Sequence, residues 1–296
     1  MLPFLTTDTW WSPNSESDVV IIPYGLEHTV SWHPGTHRAP EAICNASHYL
    51  EEYAYPFGCN PCDFIDITTH PFQIIPAKTQ EALSLLTNVV SHVHQKGALP
   101  VVIGGEHTVT LASINALMPH HPDLVLVSFD AHIDLRNTYE GKSLSHACVM
   151  RRCLEHPRLS MMIMGARSSC QDEIHYAATQ QHRLKILPSS SRQDWQVDEV
   201  VSMVSGKPLY ISIDVDVFDP SIIPTTGTPE PDGLDWQTLN YWLQILTNSA
   251  TVVGFDIVEL SPLTGQHHTD FTCAKLIYEL IAMALKYRLP LHNSIG

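Results

Sequence analysis

Short runs of apolar residues alternate with helical patterns along most of this chain, and that alternation restricts the folds it can adopt. Short apolar runs are typical of strands buried on both faces, as in a parallel sheet. Parallel strands must be joined by crossover connections, which are usually helices. The predicted strands are residues 19–23, 100–103, 124–129, 161–164, 184–187, 209–213 and 252–257.

Helical patterns, with apolar residues three and four positions apart, fill most of the gaps between these runs. They cover residues 41–53, 79–96, 108–118, 236–248 and 272–286. Asp235 and Thr79 stand where a side chain can cap a helix N-terminus. The alternation of strand and helix predicts a three-layer α/β/α fold with a mostly parallel central sheet. Since no stretch resembles a linker, residues 1–296 are predicted to form a single domain.

The charge balance restricts the binding partners. The chain has 31 acidic and 16 basic residues, and its formal net charge is −15. Such a surface repels a nucleic acid or an anionic membrane and attracts a small cation. Residues 1–8 have no basic segment followed by an apolar one, and no later stretch is as apolar as a membrane span. The odd number of cysteines, 7, suits reduced thiols, so we expect a cytoplasmic protein.

Three of the predicted strands end in side chains of the types that bind metal ions. The carboxyl ends of strands in an α/β sheet line one crevice, where segments far apart in sequence can meet. Within Asp-x-His-x-Asp and Asp-x-Asp the candidates alternate, so an extended backbone points them in one direction. They are His107, after the strand at 100–103; Asp130, His132 and Asp134, after the strand at 124–129; and Asp214 and Asp216, after the strand at 209–213.

A single aspartate or histidine at such a position would indicate little, because it is usually a helix cap or a hydrogen-bonded polar residue. Several carboxylates in one dry crevice repel each other unless a cation neutralises them. Oxygen and imidazole ligands without cysteine suit two octahedral Mn²⁺ ions, with nickel, cobalt or iron as alternatives. So few ligands for two ions imply bridging carboxylates and a shared water, with the metals about 3.5–4 Å apart.

Residues 220–233 form a proline-rich stretch directly after this acidic cluster. A long irregular loop in a compact fold is usually functional or disordered, and this position indicates part of the site. Two divalent ions, four carboxylates and one hydroxide together carry about one negative charge. The sequence therefore predicts a pocket that favours a cationic substrate.

The same segments resemble the ureohydrolase family, which includes arginase, agmatinase and guanidino-acid hydrolases. The resemblance covers nearly the whole chain. Three segments carry metal ligands in the family's order and spacing, which makes the resemblance specific. The similar segments are residues 34–36, 104–107, 128–134, 212–220, 227–230 and 254–259.

The resemblance implies a role for each candidate ligand. Asp130 and Asp214 would bridge the two metals, His107 and Asp134 would complete the coordination of one ion, and His132 and Asp216 would complete that of the other. Asp134 would also orient the shared hydroxide.

The resemblance also implies an assembly. Members of the family commonly form homo-oligomers, so we expect a trimer or a hexamer.

Three further residues acquire roles from the same resemblance. His146 matches the histidine that carries protons, and a histidine titrating near neutrality can protonate the basic leaving amine. Glu259 matches the acid that binds the guanidinium through two hydrogen bonds. Thr228 stands where the family has a residue near the substrate.

The predicted substrate is agmatine, which would be cleaved to putrescine and urea. Residues 134–146 resemble agmatinases and lack the Ser/Asn-rich loop with which arginases hold an α-carboxylate. Glu140 and Glu230 near the mouth should attract a dication, provided that Arg136 turns outward to an acid such as Glu140. The alternatives are an arginase, a guanidino-acid hydrolase and, more remotely, a non-catalytic metal-binding homologue.

Overall fold

Nine parallel strands form one sheet in the computed structural model, which describes residues 2–6, 9–12 and 15–290. Residues 1, 7 and 8 of the N-terminal segment considered above lie outside those ranges. All the predicted strands are confirmed, and two short strands, β1 and β3, join them. The strands are β1 (Thr9–Trp10), β2 (Val19–Tyr24), β3 (Ile67–Thr69), β4 (Leu99–Gly104), β5 (Val125–Phe129), β6 (Ser160–Ala166), β7 (Leu184–Pro188), β8 (Pro208–Asp214) and β9 (Thr251–Val258).

Helices connect most of these strands. The predicted helices are confirmed with shifted ends: the first stops before residue 53, and the last begins before residue 272. Three of the shorter helices were not predicted. The helices are α1 (Ala39–Ser47), α2 (Thr79–Gln95), α3 (Val109–Leu117), α4 (Val149–Cys153), α5 (Gln171–Thr179), α6 (Val197–Val204), α7 (Trp236–Ser249) and α8 (His267–Ala284).

The two predicted helix caps have different outcomes. The side chain of Asp235 accepts a hydrogen bond of 2.7 Å from the Thr238 amide and caps α7 as predicted. The prediction for Thr79 is wrong, because Lys78 is the N-cap residue of α2 and caps it without its side chain. Thr79 is already helical, and its hydroxyl lies 3.0 Å from Nδ1 of His28.

The sheet is covered on both faces, which makes the three layers. Along β2 the side chains alternate, so that Val19 and Ile21 pack in one buried cluster and Val20 and Ile22 pack in the other. Full burial of one such side chain contributes about 1.5–3 kcal/mol to folding. No helix within the described residues has the length and apolar character of a membrane span.

The strand order brings distant segments together at the carboxyl edge of the sheet. The order is β1-β3-β2-β4-β9-β8-β5-β6-β7, so the chain crosses over two strand positions between β4 and β5. As a result β4, β9, β8 and β5 lie side by side. Gly105, after β4, has no room for a side chain, because a Cβ would lie 2.1 Å from the backbone oxygen of Leu26. This close approach places the segment after residue 26 beside the crevice.

Candidate metal centre

One group of ligand atoms is centred on His107, beyond β4. Its Nδ1 lies 3.2 Å from Oδ2 of Asp130. The same nitrogen lies 3.3 Å from Oδ2 of Asp134 and 3.3 Å from Oδ2 of Asp214. Ligand atoms of His107, Asp130 and Asp134 all lie within 4.8 Å of one another, close enough to hold one ion.

A second group is centred on His132. Its Nδ1 lies 2.8 Å from Oδ2 of Asp216 and 3.8 Å from Oδ1 of Asp130. Ligand atoms of Asp130, His132 and Asp216 again lie within 4.8 Å of one another. Asp130 is thus common to both groups, as a carboxylate bridging two ions would be. The structure brings all six sequence-predicted ligands to this crevice.

Short backbone contacts hold three of these carboxylates in place. Oδ1 of Asp130 accepts a hydrogen bond of 2.6 Å from the amide of His132, two residues later. Oδ1 of Asp214 accepts one of 2.9 Å from the amide of Asp216. Oδ1 of Asp216 accepts one of 3.0 Å from the amide of Ala131. In each case the second oxygen, Oδ2, lies within 3.3 Å of a histidine nitrogen.

The protein alone leaves this site electrostatically unbalanced. Burial and the neighbouring carboxylates raise the pKa of Asp130 to about 7, and they raise the pKa of Asp214 as well. Burial disfavours the charged form of His132, yet the adjacent Asp216 outweighs it and raises the histidine's pKa to about 11. Such shifts indicate that Asp130 and Asp214 need positive charge beside them to stay ionised, as Asp216 has in His132.

The buried polar atoms of the site fit metal ions. Nδ1 of His107 and Oδ2 of Asp130 are buried, and neither has a hydrogen-bond partner among the described residues. Buried polar atoms in native proteins are rarely left unpaired, and a bound ion can satisfy those that lack a hydrogen bond. Each atom has a lone pair for coordination, and the ligand set of oxygen and imidazole suits a hard or borderline divalent ion.

A buried network behind the site orients the ring of His107. Its Nε2 lies 2.9 Å from Oγ of Ser212, and that hydroxyl donates a hydrogen bond of 2.6 Å to Oδ1 of Asp256. Tyr210 and Thr110 donate to the other oxygen of Asp256. With Nε2 held in this way, Nδ1 points at the carboxylates. The sequence analysis missed Asp256, although a carboxylate inside an apolar run is a signal that could have indicated it.

A cavity of about 250 Å³ opens above the ligands. It is lined by His146, Glu259 and Thr228, the three residues for which the resemblance implied roles near a substrate. Glu259 has a left-handed φ of 64°, and its Oε1 accepts a hydrogen bond of 2.6 Å from the amide of His107. Burial raises the pKa of Glu259 to about 8.

His146 is held by two hydroxyl groups that the sequence analysis did not identify. Its Nδ1 lies 2.8 Å from Oγ1 of Thr29, and its Nε2 lies 2.8 Å from Oγ of Ser31. The ring of Tyr139 packs edge-on against it, with 5.4 Å between the ring centroids. Burial lowers the pKa of His146. A neutral imidazole that can gain and lose a proton therefore faces the cavity.

The predicted outward pairing of Arg136 with Glu140 is wrong. Arg136 lines the cavity, and its Nε lies 3.8 Å from Oε2 of Glu173. Glu173 is a buried carboxylate in the first turn of α5, where a neighbouring cation compensates its burial. Glu140 is exposed and has no such need. Glu230 does stand by the site, with Oε1 3.9 Å from Nε2 of His132.

The long loop after β8 forms part of the cavity wall through Thr226, Gly227 and Thr228. Arg167, after β6, holds this loop in place. Its Nη2 donates hydrogen bonds of 2.6 Å and 2.9 Å to the carbonyls of Asp216 and Glu230. The sequence analysis missed Arg167, because nothing in its local sequence indicates a contact with carbonyls some 50 to 65 positions away.

Comparisons with known proteins show which proteins this chain is similar to over most of its length. The model of the arginase family matches residues 17–283. The agmatinase of Pyrococcus horikoshii is 33% identical over 275 residues, covering 92% of this chain and 93% of that protein. The N(1)-aminopropylagmatine ureohydrolase of Synechocystis sp. is 32% identical over 284 residues, covering 90% and 89%. The crystal structure of the agmatine ureohydrolase of Thermoplasma volcanium has a TM-score of 0.81 at 31% identity, covering 92% and 91%.

Proposed function

This chain belongs to the arginase family and is a ureohydrolase, and we propose that it cleaves agmatine to putrescine and urea at a pair of divalent metal ions. The observation that carries the proposal is the pair of ligand groups that share Asp130, placed below a cavity that also holds Glu259 and His146. A metal pair, an acid for the guanidinium and a proton carrier are the parts that this hydrolysis requires.

The residues of the cavity divide the chemistry between them. When bound, the metal pair supplies a water acidic enough to become a nucleophile near neutral pH. Glu259 accepts hydrogen bonds from two N–H groups of the substrate guanidinium and fixes the guanidinium carbon above the metal ligands. The guanidinium carbon is a poor electrophile, so this positioning matters. His146 gives a proton to the leaving amine, which is too basic to depart without one.

The charges around the cavity support agmatine over arginine. Glu230 places a carboxylate near the ligands, and the whole chain carries a formal net charge of −15. Arg136 lines the cavity too, but the carboxylate of Glu173 lies 3.8 Å from its Nε and offsets part of its charge, so Arg136 repels a cation less than an unpaired guanidinium would. A dicationic guanidine is attracted to such a site, while the carboxylate of arginine would lose water without matched donors.

A longer polyamine, N(1)-aminopropylagmatine, is the second candidate substrate. Relatives with that name match this chain about as well as the agmatinases do, at 31–32% against 31–33% identity. Trp32 beside the cavity is 74% exposed and packs at a tilt against the cavity-lining His33, with 4.0 Å between the ring centroids and 45° between the ring planes. An exposed indole can contact the ammonium groups of a tail that projects from the mouth.

The test is urea release by Mn²⁺-loaded protein from a panel of guanidines. We expect kcat/KM for agmatine to exceed that for arginine by at least about 10²-fold, the usual effect of leaving a charged group badly paired. A higher kcat/KM for aminopropylagmatine would select the second candidate. Comparable use of arginine, or a preference for 4-guanidinobutyrate, would contradict the proposed substrate and leave the ureohydrolase reaction in place.

Two further expectations belong to this proposal. We propose that Mn²⁺ supports the highest activity, with nickel, cobalt and iron as competitors, because the ligand set lacks sulfur. Metal-free protein titrated with each ion in turn tests this order. We also propose a homo-oligomer, a trimer or a hexamer, and sedimentation of the purified protein would show a monomer if that is wrong.

A further inference from the structure

We propose that Glu106 and Thr29 form a positioning pair that keeps one proton of His146 on Nδ1, so that Nε2 alone exchanges protons with the reacting groups. The inference deepens the proposed function and rests on it for the reaction, while the hydrogen-bond pattern itself stands on the structure alone. A buried carboxylate, a hydroxyl and an imidazole follow one another in a line that runs from the body of the protein to the cavity.

The line begins at Glu106, which is fully buried directly after β4. Its carboxylate accepts hydrogen bonds from four donors. The amides of His28 and Thr29 donate to Oε2, and the hydroxyls of Thr29 and Thr108 donate to Oε1. The two amides can only donate, and the two hydroxyls are directed at Oε1, so Glu106 acts as the acceptor of this group.

The hydroxyl of Thr29 is the middle of the line. A hydroxyl has one proton to donate, and that of Thr29 is directed to Oε1 of Glu106 at 2.9 Å. Its oxygen therefore accepts from every other neighbour. One neighbour is the backbone amide of His146, at 3.2 Å, and the other is Nδ1 of the same residue, at 2.8 Å. It follows that Nδ1 carries a hydrogen.

The other side of the ring is different. Nε2 of His146 lies 2.8 Å from Oγ of Ser31, and that hydroxyl lies 2.9 Å from the hydroxyl of Tyr139. Ser31 can accept from a protonated Nε2 while it donates to Tyr139, or rotate and donate to an unprotonated Nε2. Ser31 and Tyr139 both line the cavity. Nε2 is thus the ring atom that can change its protonation state without breaking the network.

This arrangement gives Thr29 a function beyond packing. In the neutral ring, the hydroxyl of Thr29 excludes the tautomer that has its hydrogen on Nε2 and none on Nδ1. That tautomer could not accept a proton on the cavity side. In the protonated ring the same line places a carboxylate behind the imidazolium. Loss of a partner that fixes the tautomer of a catalytic histidine can lower kcat by up to about 10⁴-fold.

The kinetic test compares Thr29→Val, which removes the hydroxyl, with Thr29→Ser, which keeps it. For Thr29→Val we expect kcat on agmatine to fall about 10-fold or more, with KM and metal content unchanged. Thr29→Ser should recover most of the loss. The matched control is Thr68→Val on β3, which removes a buried hydroxyl bonded to Ser17. An unchanged kcat in Thr29→Val, or a Ser variant as slow as the Val variant, would overturn the proposal.

A second measurement does not depend on activity or on the Thr29 variants. In ¹⁵N-labelled protein loaded with diamagnetic Mg²⁺, long-range ¹H–¹⁵N spectra report which ring nitrogen of His146 is protonated. The signals that are missing from the spectrum of His146→Gln identify those of His146. We expect Nδ1–H in the neutral ring of the native protein. An Nε2–H tautomer would refute the inference. If no guanidine yields urea while Nδ1–H is observed, the proposed function fails and the positioning pair remains.

Discussion

At the residue scale, the site depends on side chains that an ordinary backbone would not aim at the cavity. Asp134 and Glu259 have left-handed φ values of 47° and 64°. Such a conformation costs of order 1–3 kcal/mol and persists where its surroundings enforce it. The Glu259 amide donates to the carbonyl of Gly105, and the carbonyl of Asp134 accepts from the amides of Met150 and Arg151. The strain is thereby held in place by contacts with neighbouring segments.

The carboxylate of Glu259 should therefore be replaceable without loss of the fold. We expect Glu259→Gln to lower kcat/KM by about 10²-fold or more for every guanidine, because a neutral amide cannot pair with two N–H groups of a cation. Metal content should not change, and stability should not fall, since burial already disfavours the charged form of this acid. Glu81→Gln, on the exposed side of α2, is the control. A loss of bound metal in Glu259→Gln would show that Glu259 is a ligand instead.

His146 is predicted to act on protons and not on metals. His146→Ala should lower kcat by about 10²–10⁴-fold, the usual contribution of a general acid or base. Because the hydrogen bonds of its ring go to Thr29 and Ser31, the metal content should equal that of the native protein. Steady-state kinetics and elemental analysis on the same preparation separate the two effects. A native rate would mean that another group carries the proton.

At the scale of elements, the apolar runs were enough to predict the long strands, and the rest depended on contacts that a sequence does not display. β3 is an Ile-Thr-Thr segment that pairs with both β1 and β2; its β-branched residues favour a strand, but three residues are too few to form a recognisable apolar run. The strands β9 and β8 lie between β4 and β5 only in space. The pairing of Arg136 with Glu173 was not predicted either, because Glu173 lies in α5 and that helix was not predicted.

The loop after β8 gives an element-scale prediction through Arg167. Its guanidinium donates to carbonyls on both sides of the loop, and Arg167→Ala would leave several of them unpaired. We expect a loss of about 2–4 kcal/mol in the free energy of unfolding and a higher KM, because the loop also carries Thr228. The stability and KM of Arg167→Lys should lie between those of the native protein and those of Arg167→Ala, since an ammonium group cannot reach all the carbonyls that the guanidinium reaches. Urea denaturation and substrate titration measure the two effects.

Arg288→Ala is the matched control for that experiment. Arg288 pairs with Asp18 at 2.7 Å, away from this loop, and a partly exposed ion pair of this kind contributes about 1 kcal/mol or less. Equal losses of stability in the two variants would mean that Arg167 has no special role in holding the loop.

A histidine cluster joins α2 to the turn after α3 and predicts a pH effect on stability. Nε2 of His94 lies 3.1 Å from Nε2 of His121, and the ring of His120 lies 5.2 Å from that of His94. Burial and the mutual repulsion of the rings lower the pKa of His94 and of His121, with Asp123 opposing the shift at His121. The unfolded chain thus binds protons more readily than the native one. Stability should fall as the pH drops below 6.5, the ordinary imidazole value.

Thermal unfolding of the native protein and of His121→Gln, each between pH 7.5 and 5.5, tests this effect. The variant should lose less stability over that interval, because its cluster has one repulsion fewer. His182→Gln, at an exposed position, serves as the control. If both variants follow the native protein over the whole interval, the cluster does not contribute to the pH dependence.

At the scale of the whole molecule, the fold gathers buried acidic side chains at one edge of its sheet, where positive charge beside them would allow them to ionise. Asp130, Asp214 and Asp216 are each at most 3% exposed, and Glu259 stands above them. Binding to the native state alone stabilises a protein by about 2.7 kcal/mol when the ligand is at 100 times its Kd. In a chain of 296 residues that corresponds to a Tm shift of about 4 °C.

Chelation should therefore lower Tm by about 4 °C or more and abolish urea release, and added Mn²⁺ should restore both. Asp130→Asn removes the carboxylate that both ligand groups share. It should raise the Tm of the metal-free protein, because one buried acid is neutralised, and it should also abolish the shift on adding Mn²⁺. Asp198→Asn, on the exposed start of α6, should behave like the native protein. Full urea release by exhaustively chelated protein, or a native metal response in Asp130→Asn, would contradict a shared two-metal centre.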